Sequence, residues 1–181
     1  MKTSEITKEI EKELKDVLDK IDSEKTSELI DLIANRNKVF LTGSGRSKLV
    51  AEAFAMRLTQ LGLQAEIVGL PTTPAALKDD MLIVVSGSGE TETTYEVVEN
   101  AKEQGLFICC ITASLDSKIA DKSDLVIELK TGDKEKTESI EPLGSLFEQA
   151  ALLYLDSIVV SLMEKLGISE EELRKRHASL E

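Results

Sequence analysis

The chain reads as an α/β protein: a three-layer α-β-α sandwich with a five-stranded parallel sheet, plus helices at both termini. Three observations predict it. Short apolar runs alternate with helix-like stretches, the pattern of helices crossing over a parallel sheet. Those runs are almost continuously apolar, which suits strands buried on both faces. Two of them end in glycine- and serine-rich turns that open helices, as in α/β sheets that bind ligands at their carboxyl ends. The length of 181 residues suggests one unit, with helices over 1–36, a sheet core over 37–130 and closing helices over 145–181.

Thr3 to Asn35 reads as two helices, because Ile6, Ile10, Leu14, Val17 and Ile21 recur at helical spacing and Ile30, Leu32 and Ile33 follow. Lys38 to Thr42 is a first strand ending at Gly43-Ser44-Gly45, and a helix runs from Lys48 to Leu61. Ala65 to Gly69 is a second strand. Met81 to Val85 is a third, followed by a helix from Thr91 to Gln104. Leu106 to Thr112 is a fourth, Ser117 to Lys122 a short helix, and Leu125 to Leu129 a fifth strand. In the order 2-1-3-4-5, a flavodoxin-like arrangement, the turns after strands one and three are neighbours across the switch point. Lys130 to Glu141 is polar and charged, a linker or a mobile lid that would extend over 130–144. Leu146 to Leu166 is a long helix, apolar around most of its circumference, a pattern that calls for burial, often by a partner subunit. The tail from Ser169 to Glu172 carries a capping-box pattern.

Composition narrows the functions. Hydrophobic residues make up 41% of the chain but aromatics only 3%, so the core is aliphatic. The formal net charge of -12 argues against a nucleic-acid or anionic-membrane partner. It leaves a phosphate ligand open, since oriented amides act locally and distant carboxylates are screened. No apolar stretch reads as long enough to span a bilayer, and Met1 to Glu5 lacks an apolar signal region, so a cytoplasmic location is expected. Adjacent Cys109 and Cys110 point to opposite faces of a strand, which disfavours a mutual disulfide. With a single histidine, no metal constellation is expected.

The most informative segment is Ser86-Gly87-Ser88-Gly89-Glu90-Thr91-Glu92-Thr93. A strand that ends in such a turn and opens a helix aims several N–H groups at one point, and the helix dipole favours an anion there. Hydroxyls and amides bind phosphate without a lysine, so the expected ligand is a small phosphorylated molecule. The alternative is a plain helix cap, since Ser and Thr are good N-caps. Gly43-Ser44-Gly45-Arg46-Ser47 matches neither a P-loop nor a dinucleotide fingerprint. Arg46 reads either as a partner of phosphate or a sugar hydroxyl, or as a solvated loop arginine. Glu90 and Glu92 read as first-turn acids that suit the helix dipole.

Together these two turns resemble the sugar isomerase (SIS) domain. Phe54-Ala55-Met56-Arg57-Leu58, Thr72-Thr73-Pro74, Pro142-Leu143-Gly144 with Phe147-Glu148, and Lys175-Arg176-His177 are similar to the 6-phospho-3-hexuloisomerases of that family. The resemblance runs from about residue 30 to the end. It implies interconversion of 3-hexulose 6-phosphate and fructose 6-phosphate through an enediol, in ribulose monophosphate metabolism, by a homotetramer that needs neither cofactor nor metal. Its implied substrate-binding residues are Gly43, Ser44, Arg46, Ser86, Gly87, Ser88 and Thr91, with the loop at Thr72 to Pro74 lining the pocket. Glu148 is the implied base, although Ser145-x-x-Glu148 on its own spacing is a capping box. His177 would act in a neighbouring subunit's site, although a histidine at a helix C-terminus also suits the dipole alone. Two alternatives remain at this point: another SIS isomerase acting on a pentose or heptose phosphate, and a non-catalytic phosphosugar sensor.

Overall fold

The computed structural model describes residues 2–131 and 139–177. Two helices come first, α1 (Thr3–Leu18) and α2 (Ser23–Asn35). Asp22 caps α2, its Oδ1 accepting from the N–H groups of Glu24 and Lys25. The sheet strands are β1 (Val39–Gly43), β2 (Ala65–Ile67), β3 (Met81–Val85), β4 (Phe107–Thr112) and β5 (Leu125–Glu128). Between them run α3 (Arg46–Gln60), α4 (Glu92–Glu103) and α5 (Lys118–Lys122). The chain closes with α6 (Ser145–Leu166) and α7 (Glu170–Lys175).

All strand pairs are parallel and the order is β2-β1-β3-β4-β5, as the sequence predicts. Side-chain alternation divides the core into two layers. Val39, Leu41, Met81, Ile83, Val85, Cys109 and Ile111 face the cluster built with α1, α2, α3 and α6. Phe40, Leu82, Val84, Ile108 and Cys110 face Val98, Ala101 and Ile119 of α4 and α5. Cys109 and Cys110 are therefore on opposite faces, both buried and unpaired.

Several boundaries differ from the sequence reading. β2 stops at Ile67 because the chain turns at once: the Thr73 hydroxyl bonds the Ile67 and Leu70 carbonyls and accepts from Leu70 N–H. α3 begins at Arg46, two residues early, because Gly45 is its N-cap. α6 corrects the expectation about apolar stretches, since by length and composition alone it qualifies as a membrane span. It is packed against α1, α2 and α3, and its inner face, from Leu146 through Ala150, Tyr154 and Ile158 to Leu162, is buried. A core helix passes the same test. Of the segment read as a linker or a lid, residues 132–138 lie outside the described residues. Ser139 and Ile140, at its far end, are tied to Glu13 of α1 through Ser139 Oγ and Ile140 N–H.

Candidate active site

The register places Gly43 opposite Val85 at the carboxyl ends of β1 and β3. The turns at Gly43–Ser47 and Ser86–Thr91 are thus neighbours at the switch point. Gly43 is required by close approach: a Cβ there would lie 2.9 Å from the Val85 carbonyl oxygen and 3.0 Å from Lys48 N.

The Ser86–Thr91 turn is held from beneath by the β4–α5 connection. Ser86 N–H donates to the Ile111 carbonyl (3.0 Å), and Ala113 N–H donates to that of Gly87 (3.1 Å). Ile119 N–H donates to the Gly89 carbonyl (3.1 Å), and Thr112 Oγ1 donates to the Gly87 carbonyl (3.3 Å). Gly89 has φ +65°, and a Cβ there would fall 2.0 Å from Ser117 Oγ. Glu90 differs from its expected role: its Oε1 accepts from Lys118 N–H at 2.9 Å, capping α5. Glu92 does sit in the first turn of α4 and pairs with the Lys118 ammonium. Sequence reasoning missed this clamp of Glu90, Thr112, Ser117 and Lys118. Only the Ser117 cap left a local trace, as the start of a short helix.

What the clamp leaves available is a set of donors. The N–H groups of Gly87, Ser88, Thr91, Glu92 and Thr93 have no protein acceptor among the described residues. Ser86 Oγ and Ser88 Oγ accept from Gly89 N–H (3.2 Å) and Glu90 N–H (3.3 Å), which leaves both hydroxyl protons to give. Thr91 is the N-cap of α4, yet its side chain makes no capping bond. Unbonded amides, unspent hydroxyls and the positive end of a 12-residue helix make this turn a candidate anion cradle.

Glu148 comes to the same end of the sheet from α6. The expected capping box does not form: Gly144 is the N-cap, Ser145 is already helical, and its hydroxyl donates to the Pro142 carbonyl (2.9 Å). Glu148 is thereby released from capping. Its Oε2 accepts from Arg46 Nε at 2.7 Å, and its side chain is only 10% exposed, against 61% for Arg46. Arg46, the first residue of α3, thus stays largely exposed while its Nε pairs with a buried carboxylate. Leu143, just before, has φ +57°, a left-handed conformation in a branched residue, and it is 91% exposed. The Glu141 carboxylate, which accepts from Gln149 Nε2 at 2.5 Å, helps to fix that joint.

His177 is elsewhere in its own chain. Neighbouring Arg176 donates to the Gln60 carbonyl (3.3 Å) at the C-terminal end of α3. Arg46 opens that helix, so about 20 Å of helix separates the two ends. In the loop at Thr72 to Pro74, the Thr73 hydroxyl bonds the Ile67 and Leu70 carbonyls and accepts from Leu70 N–H.

The SIS domain family model matches residues 32–153. Along its whole length the chain is 38% identical to the 3-hexulose-6-phosphate isomerase of Bacillus subtilis, and it covers all of that protein. It is also 38% identical to the 3-hexulose-6-phosphate isomerase of Methylomonas aminofaciens, over 84% of this chain and 86% of that one. A crystal structure of a Methanococcus jannaschii protein, for which the function of 3-hexulose-6-phosphate isomerase is inferred, superposes with a TM-score of 0.83 at 35% identity, covering 97% of each chain. A buried carboxylate beside an anion cradle at the switch point, and full-length kinship with named isomerases, agree: the chain belongs to the SIS domain family, in the phosphosugar isomerase branch that holds the 3-hexulose-6-phosphate isomerases.

Proposed function

We propose that the protein interconverts 3-hexulose 6-phosphate and fructose 6-phosphate, moving a carbonyl between neighbouring carbons through an enediol. The observation that carries this reading is the anchored carboxylate of Glu148 beside the donor-rich turn. A sensor needs only the cradle, whereas proton transfer at carbon needs a shielded base held within reach of the ligand. The phosphate sits on the turn from Ser86 to Thr91, with Ser44 and the Gly43 backbone along the sugar. Carbon-bound hydrogen moves on Glu148, and the reaction needs no metal and no redox cofactor. In the cell the activity belongs to ribulose monophosphate metabolism and formaldehyde fixation in the cytoplasm.

His177 serves the site of a neighbouring subunit in a homotetramer. Its distance from Arg46 within one chain supports that reading. So do the exposed apolar residues Leu49 and Met56 of α3 and Leu152, Leu153 and Val160 of α6, two helices that pack side by side. The deciding assay supplies enzymatically generated hexulose 6-phosphate and follows fructose 6-phosphate, with pentose and heptose phosphates run alongside. Turnover confined to a pentose or heptose phosphate would move the protein to another SIS reaction. Tight binding with no turnover of any of them would make it a sensor.

A further inference from the structure

We infer that Glu90 is a positioning residue for the proposed phosphate turn: by capping α5 it holds the donors of Ser86–Thr91 in place, a role that rests on the phosphate-site reading above. Two glycines, Gly87 and Gly89, interrupt that turn, and Gly89 is left-handed at φ +65°. Glycine has the widest conformational freedom of any residue, so unbonded amides in such a turn stay aimed only if something outside it restrains them. Carbonyls carry part of the restraint, since Gly87 accepts from Ala113 N–H and Gly89 from Ile119 N–H. Glu90 adds a side chain to it, its Oε1 accepting from Lys118 N–H at 2.9 Å. Among the described residues it is the one side chain of Ser86–Thr91 that bonds another element. Its place in the chain suits the task, between left-handed Gly89 and Thr91, the N-cap of α4.

Charge alone would not put a glutamate here. A carboxylate within an anion cradle repels a phosphate dianion, and so does its neighbour Glu92. Lys118 answers both acids: its N–H donates to Glu90, and its ammonium pairs with Glu92. The same ammonium lies 5.0 Å from the ring centre of Tyr95 on α4. The N–H is a spare donor, because Lys118 is the first residue of α5 and first-turn N–H groups have no acceptor within their own helix. The bond to Glu90 therefore takes nothing from α5 and ties that helix to the turn. Glu90 thus acts on an anion in two opposed ways. Its charge weakens phosphate binding, and its hydrogen bond strengthens it by holding the donors still. A substitution that separates charge from bond reads the role by its sign.

The test reads the Kd of inorganic phosphate by calorimetry, together with the thermal midpoint, for the full-length protein and four variants. Glu90→Ala removes charge and bond together, and it is expected to weaken phosphate by about threefold or more, the scale of one lost capping hydrogen bond. Loss of repulsion alone would tighten binding instead, and loss of a plain helix cap would lower the midpoint at unchanged Kd. Glu90→Gln removes the charge but keeps an acceptor for Lys118 N–H, so it is expected to bind phosphate at least as tightly as the unaltered protein. Lys118→Pro removes the donor and leaves Glu90 in place. Proline suits the first helical position, and Ser117 already has the extended backbone, φ -150° and ψ 152°, that a residue before proline adopts. Lys118→Ala loses the ammonium but keeps the N–H, so the proline variant is expected to bind phosphate about threefold more weakly than the alanine one. Glu90→Ala weakened by less than about threefold, or tightened, overturns the inference. A glutamine variant as weak as Glu90→Ala overturns it, and so does a Lys118→Pro variant that matches Lys118→Ala. If the unaltered protein binds no phosphate, the phosphate-site reading fails and takes the inference with it; if it binds and the variants match it, the inference alone falls.

Discussion

Arg46 and Glu148 are 102 positions apart in the chain, yet Arg46 Nε donates to Glu148 Oε2 across 2.7 Å. The first residue of α3 and the first turn of α6 meet there, beside the turn that follows β3. The pair ties the proposed base on one helix to a guanidinium on another.

Replacing Glu148 with Gln preserves shape and an acceptor for Arg46 but removes the base. We expect kcat to fall by about two orders of magnitude or more, with little change in thermal midpoint. Near-normal turnover by the folded variant would remove Glu148 from the mechanism.

The cradle is tested by Ser88→Ala and Thr91→Ala. Each removes a hydroxyl donor to a charged group, so each should weaken both inorganic phosphate and sugar phosphate by roughly 1.5–3 kcal/mol. Calorimetry showing unchanged affinity in the double variant would send the phosphate to another surface.

Gly89→Ala should be costly for a reason independent of ligand. The new Cβ would meet Ser117 Oγ at 2.0 Å, and the left-handed backbone disfavours any side chain. Overpacking and conformational strain together predict a loss of about 3 kcal/mol. Adding Ser117→Gly should return part of it in denaturant titrations. A second variant no more stable than the first would locate the strain elsewhere.

The shared site predicts complementation. Glu148→Gln and His177→Ala should each be nearly inactive, and refolding them together should restore part of the activity. Mixed oligomers seen by mass spectrometry without any returned activity would show that the two residues do not meet across an interface. A monomer in light scattering at working concentration would end the idea sooner.

Burial pushes the Cys110 thiol up to about 12 and the Cys109 thiol well above its ordinary value. Both should resist alkylation in the native state at mildly alkaline pH and react on unfolding. The fold binds these protons more tightly than the unfolded chain does. Stability that is whole below the ordinary thiol value, near 8.5, is therefore lost as pH climbs from there toward 12. Rapid labelling of the native protein at neutral pH would show that this part of the sheet opens.

The sequence by itself determined the layers and the strand order, and it pointed to the proposed anion-binding turn, because each is written in short-range pattern. Apolar runs of strand length alternate with helical periodicity, and the serine-glycine turn sits between strand and helix, where local geometry alone aims its amides. Ser169 to Glu172 formed its capping box as the spacing predicts. Ser145 to Glu148 carries the same spacing and did not, because Gly144 takes the cap and Arg46 takes the carboxylate. Only the tertiary structure decided that competition, as it decided that Glu90 caps α5 and that Arg46 faces a base. Both depend on which side chains the sheet brings together from distant parts of the chain. A local motif fixes what a residue can bond; packing fixes which partner is within reach.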